Sequence, residues 1–77
     1  MFLNLFARTV REYAYKPALV FEGQSISYAE LDYESSRIAY TLMANGIGHG
    51  DIVVIRLPRG REAVAAMLGV MKSGAAV

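Results

Sequence analysis

Three arginines stand together in "RLPRGRE" (56–62), at Arg56, Arg59 and Arg61. They fall just ahead of a run that reads as a helix start. The first turn of a helix offers free backbone N–H groups and the positive end of the dipole, and both favour anions. Basic side chains oppose that dipole, so the three are weak candidates for an anion site. The plainer reading, a solvated surface edge, is preferred, because isolated surface charges contribute little.

Other chemistry-bearing stretches are poorer. "GIGHG" (46–50) is glycine-rich, but a dinucleotide fingerprint needs a strand before it and a helix after it. Here a helix precedes and a strand follows. "GVMKSG" (69–74) lacks the spacing that cradles phosphate and lies at a helix C-terminus, the wrong pole for an anion. His49 has no ligand-type neighbours. Glu30, Asp32 and Glu34 are close in sequence, but Glu30 is assigned to helix capping. The tyrosines at 13, 15, 28, 33 and 40 lack the basic interleaving of a nucleic-acid platform and are expected in core and rim packing. No self-contained catalytic, cofactor-binding or metal constellation is expected.

The elements that must carry these residues read as follows. Phe2, Leu5, Phe6, Val10 and Tyr13 recur at helical spacing, which predicts an amphipathic helix ended by Lys16-Pro17. "ALVF" (18–21) and "SIS" (25–27) flank "EGQ" (22–24), where Gly23 can take φ > 0, so 18–27 reads as a hairpin. Ser27 and Glu30 form a capping box, with Ile26 and Leu31 at the flanking staple positions and Tyr28 between. A helix follows with Leu31, Ser35, Ile38, Ala39 and Leu42 on one face. It ends at "LMANGIG", with Gly46 as the left-handed cap and Ile47 folding back on Leu42.

"GHGD" (48–51), with Gly50 and Asp51, is a turn. "IVVIRL" (52–57) is continuously apolar at its start, which predicts a strand covered on both faces, as in parallel sheets. Residues 60–74 predict a third helix with Val64, Met67, Leu68 and Met71 on its buried face, Lys72 near its negative end and Gly74 as its stop. "AAV" (75–77) begins a further buried strand. The expected fold class is α/β, with a right-handed parallel crossover over 52–77.

Composition bounds the rest. With 77 residues there is one domain at most, and 55% hydrophobic content suggests a piece that buries more than it could alone. Eight basic and seven acidic residues give a net charge of +1, which calls for neither nucleic acid nor an anionic membrane. The absence of Cys excludes disulfides and fits a cytoplasmic protein. No signal peptide is read at the start, and no apolar run approaches the about 20 residues of a membrane span.

The chain resembles the start of adenylate-forming (AMP-binding) enzymes, and most of all the adenylation domains of nonribosomal peptide synthetases. The resemblance rests on "KPALVFEGQ" (16–24), "ISYAEL" (26–31), "GIGHGDIVVI" (46–55) and "GVMKSGAAV" (69–77), in order and at the spacing of that family. Ser27 stands for the usual Thr, Met71 for Leu and Ser73 for Ala. The resemblance implies an N-terminal portion of the large subdomain, with 1–77 a fragment whose fold continues past Val77. It implies a parent ligase that turns a carboxylic acid and ATP, with Mg, into an acyl-adenylate and pyrophosphate. The acyl group then passes to a phosphopantetheine thiol on a carrier protein domain or coenzyme A.

The family's phosphate loop and its nucleotide and substrate residues lie beyond these motifs, so none is carried over and the fragment alone is expected to be inactive. Ile26, Ser27, Tyr28, Glu30, Leu31, Gly46, Gly50, Asp51, Lys72 and Gly74 match family motifs and are expected to be structural. Two alternatives stand beside this reading. Within the family, the parent is an acyl-CoA or aryl-acid ligase. Outside it, the chain is a small interaction module from a truncated gene, without catalysis.

Overall fold

A computed structural model describes residues 2–77, with the backbone alone described for Phe2. The expected place of the Phe2 side chain on the apolar face lies outside the described residues. The order is α1 (Phe2–Tyr13), β1 (Pro17–Phe21), β2 (Gln24–Ser27), α2 (Tyr28–Ala44) and α3 (Arg61–Ser73). Helix α1 ends where expected, closed by the Lys16 N–H donating to the Tyr13 carbonyl at 2.9 Å. Among the described residues, no helix is long and apolar enough to cross a membrane.

β1 and β2 pair antiparallel, with the register irregular between Pro17 and Leu19. The loop has two residues, Glu22 and Gly23, at φ 52° and 78°. Positive φ at both positions suits the right-handed twist of a two-residue hairpin. Gly23 was the expected left-handed residue; Glu22 adopts the same region despite its Cβ.

Phe6, Ile26, Leu31, Ala65 and Leu68 form the buried cluster, with Val10, Ala18, Leu19, Tyr28, Ile38 and Val64 packed against it. The cluster draws one face from each helix and the inner face of the hairpin. Its tightest seam is the crossing of α2 and α3. A Cβ added at Gly69 would lie 2.6 Å from Ile38 Cγ2 and 2.9 Å from the Ser35 carbonyl oxygen. Ser35 is wholly buried there. Its hydroxyl donates to the Asp32 carbonyl at 3.1 Å within its own helix, which lets a polar side chain sit in the seam without an unmet hydrogen bond.

Two expectations need correction. The buried face of α3 is Ala65, Leu68, Gly69, Val70 and Ser73, whereas Met67 is exposed. Small residues set the contact, because they let the helix backbones approach, and a long Met at the seam would hold them apart. The run 52–57 is also not a covered strand. It makes one parallel bridge, Ile52 with Ala76, and Ile52 and Val54 are 77% and 76% exposed. The parallel sense is as expected. A lasting strand of that composition needs a neighbour on each edge and cover on each face, and among the described residues only the 75–77 segment bonds to it.

Gly69→Ala tests the seam. Ala is about 1 kcal/mol better than Gly in a helix interior, but overpacking against backbone costs about 1–3 kcal/mol. The substitution is expected to lower the urea midpoint, and a raised midpoint would show that the helices are further apart. Glu22→Asn should raise the midpoint by about 0.5 kcal/mol equivalent, because Asn tolerates the left-handed region at less cost. An unchanged or lower midpoint would mean that the loop does not hold Glu22 at positive φ.

Candidate functional site

The family-like motifs come together at two junctions. The first is the entry to α2. Four N–H groups at a helix start lack intrahelical partners, and here all four are met. Ser27 N–H donates to Glu30 Oε1 at 3.0 Å. The Glu30 N–H donates to Ser27 Oγ at 3.1 Å. Tyr28 N–H reaches the Lys16 carbonyl at 3.1 Å and Ala29 N–H the Ala14 carbonyl at 2.8 Å. The capping box was legible in the sequence; the two bonds back to the end of α1 were not, since no side chain signals them. Ile26 and Leu31 are both buried in the core cluster beside it.

Glu30 is held below the ordinary carboxylate range, first by the Ser27 backbone N–H, then by the Ser27 side chain, with the Arg61 charge as a smaller cause.

The second junction joins the ends of α2 and α3. Gly46 (φ 78°) follows the cap residue Asn45. Its N–H donates to the Met43 carbonyl and that of Ile47 to the Leu42 carbonyl, both at 3.0 Å, which is the Schellman pattern. The turn then closes on itself: Gly48 N–H donates to Asp51 Oδ2 at 2.8 Å, and Asp51 N–H to the Gly48 carbonyl at 3.0 Å. Gly50 takes φ 91° inside it.

Helix α3 stops at Gly74, also left-handed, and Ser73 Oγ donates to the Val70 carbonyl at 2.6 Å. The two turns touch. A Cβ at Gly48 would lie 3.4 Å from the Ser73 carbonyl oxygen, and one at Gly74 would lie 3.5 Å from His49 N. The Ala76 N–H then donates to the Asp51 carbonyl at 2.9 Å and Val53 N–H to the Ala76 carbonyl at 2.8 Å. Asp51 thus fixes its own turn with its side chain and the parallel bridge with its carbonyl.

Lys72 ties the two junctions together, and its role was missed in the sequence. Instead of only lying near the dipole's negative end, its ammonium crosses to α2. It donates to the Asp32 carbonyl at 3.1 Å, Asp32 Oδ1 at 2.7 Å and Ser36 Oγ at 2.9 Å. Three protons meet three acceptors. The side chain is 17% exposed, and its ammonium lies 5.3 Å from the Phe6 ring centre, so the charge sits against the core. The acidic trio is likewise divided: Glu30 caps, Asp32 holds Lys72, and Glu34 pairs with Arg61.

The arginines do not converge. The Arg61 pair with Glu34 pushes its guanidinium pKa further up, while Arg56 and Arg59 are exposed. A cavity of about 240 Å³ between the hairpin and the start of α3 is lined by Arg59 and Arg61, but also by Glu22 and Glu62, so its charge is balanced. No side chain caps α3, whose N-cap is Gly60. Among the described residues, no three His, Cys, Asp or Glu side chains come together where they could hold a metal ion. Only Tyr28 of the five tyrosines packs on the core. Tyr13, Tyr15, Tyr33 and Tyr40 are exposed, contrary to the core-and-rim expectation, and Tyr33 instead lies under the Arg37 guanidinium at 5.8 Å.

The profile of the family described as AMP-binding enzyme matches residues 6–77. The chain is 48% identical over 60 residues to Surfactin synthase subunit 3 of Bacillus subtilis (strain 168), covering 78% of this chain and 5% of that protein. Among solved structures, it is similar to NpsA-ThdA, an artificially fused Adenylation-PCP di-domain NRPS from Klebsiella oxytoca. That match has a TM-score of 0.88 at 35% identity and covers 94% of this chain and 14% of the other. The Klebsiella oxytoca NpsA N-terminal subdomain in complex with anthranilyl-AMSN matches with a TM-score of 0.86 at 35% identity, over 94% of this chain and 19% of the other. The chain therefore spans a small part of the proteins it matches.

Lys72→Met keeps an unbranched side chain of similar reach and removes the ammonium. It is expected to cost about 1.5–3 kcal/mol in chemical denaturation, the range for hydrogen bonds to a charged group. A double-mutant cycle with Asp32→Ala should show a coupling of about 1 kcal/mol; additive effects would mean that the bridge is not formed. Glu30 supplies a pH signature. Its folded pKa is depressed, so its contribution is full above the ordinary carboxylate pKa and is lost as pH falls through the lowered value. Glu30→Gln, which keeps an acceptor, should narrow its gap to the parent as pH drops below about 4. A gap constant with pH would contradict the cap.

Proposed function

The chain belongs to the AMP-binding enzyme family, and we propose that it forms the N-terminal part of the large subdomain of an ATP-dependent carboxylate-activating ligase. The observation that carries the proposal is the meeting of the motifs at 46–51 and 69–77, with Asp51 bonded to both its own turn and the closing bridge. That arrangement, matched at a TM-score of 0.86 to the N-terminal subdomain of NpsA, supports placing 1–77 as one portion of an adenylation domain.

In the proposed reaction, a carboxylate oxygen attacks the α-phosphorus of ATP and pyrophosphate leaves. A phosphopantetheine thiol then attacks the acyl carbon and AMP leaves. Among the described residues, Arg61 pairs with Glu34 and no three His, Cys, Asp or Glu side chains come together, and no nucleotide or Mg role is proposed for them. ATP and Mg would be held by other parts of the protein. The work of these residues is to fix the order and angles of α2, α3 and the first parallel pairing. The exposed apolar run at Ile52 and Val54 is proposed as a strand that the remainder of the adenylation domain covers.

An amino acid is the proposed substrate, supported by the likeness to a surfactin synthase subunit. An aryl acid is the second reading, favoured by the NpsA likeness, since that protein is seen with anthranilyl-AMSN. A carrier protein domain is the proposed acceptor partner, supported by the Adenylation-PCP fusion, and a cytoplasmic location accompanies this chemistry.

The test is carboxylate-dependent ATP–pyrophosphate exchange by the complete protein that carries this sequence, across amino acids and aryl acids. Saturable exchange with one amino acid is expected, and exchange with aryl acids alone selects the second reading. No exchange with any acid would overturn the proposal. The 77-residue chain by itself is expected to give no exchange.

A further inference from the structure

No further inference is drawn: the strongest candidate, the apolar groove between α1 and α3 lined by Leu5, Thr9, Met67 and Met71, carries nothing because nothing in the structure shows what covers it.

Discussion

Everything in this structure hangs on how closely α2 and α3 can approach. Their backbones meet where Gly69 of α3 faces Ser35 and Ile38 of α2, with no room for even one added carbon. A short chain cannot bury much apolar surface, so a close helix pair is an efficient way to exclude water per residue spent. The crossing also sets the positions of everything attached to the two helices. Once Gly69 is seated, Lys72 is one turn further along α3 and within reach of Asp32 and Ser36. The polar bridge therefore depends on the apolar contact, and it fixes the rotation of α3 that apolar packing alone would leave loose.

The junctions extend this constraint outward. The four N–H groups at the start of α2 are all bonded, two through Ser27 and Glu30 and two through the backbone at 14–16. Helix α1 and the hairpin are thereby fastened to the N-terminus of α2 by hydrogen bonds as well as by Phe6, Ile26 and Leu31. At the opposite end, two left-handed glycines, Gly46 and Gly74, end α2 and α3 in turns that abut. The chain leaves both turns in the same direction, and this makes the Ile52–Ala76 bridge parallel.

What could be read from the sequence was what acts locally. The capping box, the Schellman end of α2, the turn at Gly23 and the stop at Gly74 each depend on residues within a few positions of one another, and each is present. What could not be read acts across the chain. Lys72 and Asp32 are 40 residues apart, and no spacing rule links them. Met67 falls outside the buried face because periodicity picks out large apolar residues, whereas the crossing selected for small size at Ala65 and Gly69. The covered-strand reading of 52–57 followed composition, and composition reports the environment that a strand needs, not the neighbours supplied by this segment.

This division explains how residues that only shape the backbone can carry a family's pattern. Ser27 and Glu30, Gly46, Gly50 and Asp51, and Gly74 stand where the backbone must turn or stop. Each satisfies a steric or hydrogen-bonding demand that few residue types meet. Such demands follow from the order of the elements and not from any bound molecule. Lys72 belongs with them. Its three N–H donors are taken up by Asp32 and Ser36, and its ammonium lies 5.3 Å from the Phe6 ring centre. In this segment the chemistry lies in making one path of the chain cheaper than the others, and the family likeness records that path.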